Sequence, residues 1–267
     1  VESPSSQVSA KDRNIISAGL TGLYHDRPLR LVPIYESDFL DNSIGFRPEH
    51  STKEAIGMAR KFFNRRQKYY WIIEGDIKGY FDNVQHAKLL EILQQRIADL
   101  RLIRLIRLLL EAGIMEGELF VKSKAGVPQG GIASPLLANI YLHEFDKWWQ
   151  KTYDNPQEAT KRPGKTTSRA TARRKMRKVG WGNVLYLRYA DDFILLTNGS
   201  KEWAHQVREL AGNFLKDKLG LELSMEKTHV THIRDGFDFL GYHFQMKPTN
   251  PSWERHNQRV RIRKGKV

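Results

Sequence analysis

The segment VLYLRYADDFILLT places two adjacent carboxylates, Asp191 and Asp192, between two runs of apolar and β-branched residues. Each run has the length and composition of a buried strand. Two ionised side chains cannot lie unpaired inside a sheet, so the pair must sit at the turn of a hairpin whose arms are those runs. A second segment, YYWIIEGDI from Tyr69 to Ile77, reads as another buried strand and delivers Asp76 at its carboxyl end. If these strands are neighbours, at least two carboxylates come within a few ångströms, and like charges at that range do not all ionise without a cation. Magnesium resolves the conflict, since its oxygen-only coordination suits carboxylates, a backbone carbonyl and substrate phosphates. Two such ions about 4 Å apart support an in-line phosphoryl transfer. A bare pair of aspartates at a turn is more often simply solvated; the flanking apolar strands weigh against that here.

Helical segments surround these strands. Ser51 reads as the N-cap of a helix from about Thr52, with Glu54 at capping-box spacing and Ala55, Met58, Ala59, Phe62 and Phe63 on one face. Two further helices are expected, roughly His86 to Ile97 and Leu100 to Ala112. The second carries Arg101, Arg104 and Arg107 on one side, a row suited equally to phosphates or to water. GELFVKSKAGVPQGG reads as a hairpin running into a glycine turn. Ser134 then caps a helix with Pro135 in its first position, and a helix from Lys201 to Leu219 ends at Gly220. LELSMEKTHVTHI and FDFLGYHF each supply a short strand. The opening stretch to about Arg30 reads poorly, broken by Gly19, Gly22 and Pro28, and LVPIYESDFLDNSIGFRPEH reads mostly as loop. The order of elements is a split βαβ pattern: an antiparallel sheet packed on helices, with the carboxylates on its open side.

Charge narrows the choice of partner. The formal net charge is +14. Nine basic residues and no acid lie between Lys161 and Lys178, and six basic residues with one acid between Glu254 and Val267. These two strips account for the whole excess, which points to a polyanion, nucleic acid by default, rather than to a mere solvated linker and tail. The absence of cysteine excludes disulfides, thiol catalysis and cysteine-type zinc sites. No signal peptide or membrane span is read, so a cytoplasmic location is expected. His229 and His232 would point to opposite faces of a strand, which makes no metal site.

Tyr189, Ala190, Asp191 and Asp192 match the YADD signature of reverse transcriptases, and GDIKGYFDNV (75–84) resembles the aspartate motif that precedes it. GVPQGGIASPLLANIYL resembles the glycine turn and helix between the two, and FLGYHF the strand near the primer end. Together with IYESDFLDNSIGFRP, these motifs most resemble the reverse transcriptases encoded by group II introns, the maturases, over about Ile34 to Phe244. The resemblance implies an α+β fold: a reverse-transcriptase-type palm, its antiparallel sheet packed on helices, with partial fingers. It divides the chain into an incomplete fingers part (1–70), a palm (71–245) with a basic insertion at about 153–180, and a basic tail (246–267) leading towards an absent thumb.

The resemblance also implies roles. Asp76 and Asp191 would bind two magnesium ions, with Asp192 in support and the carbonyl of Ile77 adding a neutral oxygen. Phe81, five residues after Asp76, would be the aromatic steric gate against a ribose 2′-hydroxyl, although an aromatic at a strand end also packs as core. Gln129 and Gly130, followed by Gly131, would approach the templating pair. Tyr189 and Ala190 would lie against the primer's last sugar, and Lys227 would donate a proton or positive charge to the leaving pyrophosphate. Arg47 would contact the template or incoming triphosphate. The expected activity is that of an RNA-directed DNA polymerase on an RNA template, a DNA primer and deoxynucleoside triphosphates, encoded by a group II intron and binding intron RNA to assist splicing. Two alternatives stay open: a splicing cofactor that binds RNA without chemistry, and a domesticated or defence-associated (CRISPR-associated) reverse transcriptase.

Overall fold

A computed structural model describes residues 31–63, 69–111, 114–116, 119–121, 125–127, 133–154, 174, 178, 181–247 and 259–265. Helices α1 (Leu31–Glu36) and α2 (Thr52–Phe63) precede strand β1 (Trp71–Gly75). Helices α3 (Tyr80–Asn83), α4 (His86–Gln94) and α5 (Leu100–Glu111), strands β2 (Ile114–Glu116) and β3 (Leu119–Val121), and helix α6 (Ser134–Trp149) follow. The chain then forms β4 (Val184–Tyr189), β5 (Asp192–Thr197), α7 (Lys201–Leu219), β6 (His229–His232), β7 (Phe237–Phe239), β8 (Tyr242–Lys247) and β9 (Arg259–Lys264). Among the described residues no helix is long and apolar enough to cross a membrane.

Two compact units divide the chain, one from Val1–Phe39 and Phe81–Tyr141, the other from Leu40–Tyr80 and Leu142–Val267. In the first, α4 and α5 bury their apolar faces through Leu89, Leu90, Leu93, Ile103 and Ile106. Arg101, Arg104 and Arg107 are all exposed, and Arg101 is bonded to Asp99.

The second unit is built on a four-stranded sheet of order β4-β5-β1-β6, every pair antiparallel. A three-stranded sheet of order β7-β8-β9 shares its core: Phe63, Phe237 and Phe244 pack with Ile72, Leu187, Ile194 and Leu196. Ala55, Ala59, Phe62 and Phe63 of α2 are buried on one helical face, as their spacing predicts. The hydroxyl of Ser51 accepts the Glu54 N–H at 3.3 Å, but the Glu54 carboxylate turns to His50 (2.8 Å), so only half of the expected capping box forms. Helix α7 has both its caps: Ser200 accepts the Trp203 N–H at 3.1 Å, and Gly220 takes a left-handed conformation (φ 63°).

Several expectations are corrected. Leu31–Glu36, read as loop, is helical, because Pro33 lies within its first turn, where a missing N–H breaks no helical bond. The β2–β3 hairpin begins at Ile114, so only its second strand lies in the expected segment. FDFLGYHF forms two strands rather than one, reversing at Leu240 and Gly241, both at positive φ. Part of the basic tail is strand β9, paired along its length with β8; Val260 and Ile262 face the core while Arg261 and Arg263 are exposed. Helix α6 starts at Ser134 itself, one residue earlier than a cap at that position would allow.

Gly75 ends β1 opposite Phe193, and a methyl group on it would overlap the Phe193 ring, which is 1% exposed and has nowhere to move. Gly75→Ala is therefore expected to destabilise the fold by about 1–3 kcal/mol. Pairing it with Phe193→Leu should recover part of the loss, as read from urea denaturation midpoints.

Candidate active site

The register of β1 on β5 ends with Gly75 opposite Phe193. Asp76 follows directly on that last pair at the end of β1, and Asp192 is the first residue of β5. Between β4 and β5, Tyr189 pairs with Asp192, leaving Ala190 and Asp191 as a two-residue turn. The carboxylates expected to meet thus stand at one end of one sheet.

Their electrostatics show the crowding. Partial burial, then the charge of Asp76, pushes the Asp191 carboxyl above the ordinary carboxylate range, against the pull of its own backbone N–H, Arg188 and Lys227. Asp192 is pushed up to about 6, first by the protein that desolvates its inner side and then by Asp191 and Asp76. Lys227 supplies the nearby positive charge: its Nζ lies 3.3 Å from Oδ1 of Asp76, on a side chain 71% exposed. Among the described residues no three His, Asp or Glu side chains converge closely enough to hold a metal ion by themselves.

The backbone around Asp76 is fixed by the segment that carries Lys227. The Asp76 carbonyl accepts the Ser224 N–H at 2.8 Å, and the Lys78 N–H is donated to the Glu222 carbonyl at 2.9 Å. Ile77 stands between these bonds opposite Leu223, so its own carbonyl is not committed to that bridge. Its side chain is buried.

The remaining expected residues are placed as follows. Tyr189 is half-buried, and its hydroxyl accepts from Thr52 Oγ1 at 3.2 Å; Ala190 is buried. Nη1 of Arg47 donates to the carbonyls of Leu40 (2.9 Å) and Ser43 (2.6 Å), which commits that nitrogen to bracing its own loop. Phe81 belongs to the first unit, half-buried, its carbonyl accepting the Val127 N–H at 2.8 Å. Gln129, Gly130 and Gly131 lie outside the described residues, as does the 161–178 strip apart from Arg174 and Lys178. His232 stacks on Tyr70 and meets the edge of Trp71.

Two features of the site escape sequence reasoning. Gly45, in the loop before α2, lies against the aspartate turn: a Cβ there would overlap the Ala190 nitrogen and approach the Tyr189 carbonyl carbon to 2.8 Å. Beneath the turn, Arg188 and Asp146 form an ion pair in which both side chains are fully buried. Arg188 donates from Nε to Oδ1 (2.9 Å) and from Nη2 to Oδ2 (2.6 Å), and the Tyr186 hydroxyl donates to Oδ1 (2.5 Å). Burial alone would raise the Asp146 carboxyl; the Arg188 guanidinium, with His143 and Tyr186 beside it, reverses this and holds it at about 2. The sequence signal was an arginine inside an apolar strand and an aspartate among the aromatics of FDKWW, each anomalous for a core position.

Two outcomes follow from this geometry. Gly45→Ala must displace backbone rather than a flexible side chain tip, so about 1–3 kcal/mol of stability should be lost, measurable by thermal denaturation. A carboxyl held below its unfolded value of about 3.9 contributes stability that is present above that pH and is lost as pH falls towards the folded value. The pair's contribution should therefore disappear between about pH 4 and pH 2, and Asp146→Asn, by leaving Arg188 buried without a counter-charge, should cost about 3–5 kcal/mol at pH 7. Denaturation curves across that pH range check both statements.

Comparison with known proteins agrees with the geometry. Residues 25–244 match the family described as reverse transcriptase (RNA-dependent DNA polymerase). The chain is 38% identical over 219 residues to Protein YkfC of Escherichia coli, covering 80% of this chain and 58% of that protein. It is 35% identical over 250 residues to the group II intron-encoded protein LtrA of Lactococcus lactis, covering 81% and 41%. The chain thus spans about half the length of these relatives. In fold it is similar to apo telomerase from Candida tropicalis, with a TM-score of 0.52 at 18% identity, over 87% of this chain and 43% of that one. The match to the family along most of the chain establishes that the chain belongs to the reverse transcriptase family.

Proposed function

We propose that this chain carries the polymerising site of an RNA-directed DNA polymerase, which extends a DNA primer on an RNA template with deoxynucleoside triphosphates. The observation that carries the reading is the gathering of Asp76, Asp191 and Asp192 at one end of one sheet, where burial first and their mutual repulsion next raise the carboxyls of Asp191 and Asp192. This donor set fits magnesium, which is commonly held by one or two carboxylates with substrate phosphates completing the shell. Asp76 and Asp191 would hold two such ions, with Asp192 and the Ile77 carbonyl in support. Bound there, the ions would supply Lewis-acid activation of the attacking primer 3′-hydroxyl and neutralisation of the departing pyrophosphate.

The chain's own residues do the rest. Lys227, exposed beyond its contact with Asp76, has the reach and charge to bind the leaving pyrophosphate or to give it a proton. Phe81 would exclude a 2′-hydroxyl, and Gln129 and Gly130 would stand against the templating base. Tyr189, tied by its hydroxyl to Thr52, would support the primer's last sugar. The exposed Arg261 and Arg263 of β9 and the 161–178 strip offer positive charge to a phosphate backbone.

A second role accompanies the first: similarity to an intron-encoded protein favours binding of intron RNA in support of splicing. The two separate by substitution. Primer extension on an RNA template, with deoxy- or ribonucleotides and with or without magnesium, is expected to require magnesium and deoxynucleotides. Asp191→Asn should reduce extension by more than about 100-fold while RNA affinity changes little. Phe81→Ala should admit ribonucleotides. Extension by Asp191→Asn at the unsubstituted rate would overturn the polymerase reading. Splicing assistance should survive that substitution but not neutralisation of the nine basic residues between 161 and 178.

A further inference from the structure

Arg188 is a cation with no access to water, and its bonding directions are divided. Nε and Nη2 bind the two oxygens of Asp146, while Nη1 donates to the Ala190 carbonyl at 2.8 Å. A buried ion pair adds little net stability over apolar side chains of similar volume. The strand around Arg188 is otherwise built of Val184, Leu185, Tyr186, Leu187 and Tyr189, so an apolar residue would suit the position. The third bond gives the guanidinium a purpose that an aliphatic residue could not serve.

Ala190 holds a φ of 58°, which L-residues adopt rarely, at a turn position where glycine is usual. Its carbonyl oxygen and the N–H of Asp191 belong to one rigid peptide plane. Holding that oxygen fixes the plane from which the Asp191 side chain departs. The anchor for this hold is Asp146 on α6, itself fully buried and held by the Tyr186 hydroxyl as well as by Arg188.

We propose that Arg188 is a positioning residue: anchored on Asp146, its planar fork fixes the Ala190–Asp191 peptide and thereby the direction in which Asp191 and Asp192 are presented. The catalytic consequence rests on the polymerase reading; the structural claim does not. Lysine cannot substitute, because a single ammonium does not reproduce a planar fork that reaches both the Asp146 carboxylate and the carbonyl.

The test uses Arg188→Lys, and Asp146→Asn combined with Arg188→Met. The double variant removes both buried charges while leaving the Tyr186 hydroxyl an acceptor, so its melting temperature should stay within a few degrees of the unsubstituted protein. In both variants, amide hydrogen exchange over residues 189–193 is expected to quicken about tenfold, with the other strands still protected. Where extension is measurable, kcat should fall about 10- to 100-fold, with the KM for deoxynucleotide and the affinity for RNA within twofold. A stable double variant whose turn exchanges at the unsubstituted rate overturns the proposal. So does one whose turn loosens while kcat is unchanged. If the unsubstituted protein extends no primer, the polymerase reading fails by itself, and the exchange measurement still decides whether Arg188 holds the turn.

Discussion

Three carboxylates at the end of one sheet repel one another, and the surrounding packing keeps them there. Asp76 arrives by β1, Asp191 and Asp192 by the β4–β5 turn, and the antiparallel ladder between β1 and β5 holds the two ends level. Partial burial raises the carboxyls of Asp191 and Asp192, and the charges this alignment brings together raise them further. Lys227 relieves only part of it, from the exposed side. A fold driven by stability alone would separate such groups, so a site that keeps them together fits a ligand able to compensate the charge.

Holding the carboxylates requires close approach of backbone at two places. Gly75 leaves room for the Phe193 ring, which packs between the sheet and Phe145 of α6. Gly45 lets a loop lie directly on the aspartate turn, and hydrogen bonds from Ile44 N to the Arg188 carbonyl and from Arg188 N to the Asn42 carbonyl bind that loop to β4. The turn is thus bounded by backbone on one side and by a buried guanidinium on another. A strained alanine persists there because its surroundings over-determine it.

Much of this was legible before any coordinates. The YADD hairpin follows from the impossibility of burying two unpaired charges inside a strand, and the end of α7 from Gly220, whose cap chemistry acts within a few residues. What escaped was non-local or ambiguous. The segment from Leu31 read as loop, and its six-residue helix is too short to show a helical period. The basic run from Arg259 looked like a tail because its alternating Val260 and Ile262 are too few to signal a strand without β8 as partner. Arg188 and Asp146 are 42 residues apart, and no periodicity links them.

The sequence by itself determined the strands that end in aspartate, the family whose motifs they carry and the excess of positive charge, because local pattern and residue chemistry suffice for each. Only the tertiary structure decided that Asp146 neutralises Arg188, that Gly45 touches Ala190, that Arg47 braces its own loop and that β9 completes a sheet. Those outcomes depend on which side chains meet after the chain has folded back on itself. Such meetings are set by the packing of whole elements, which no short window of sequence contains.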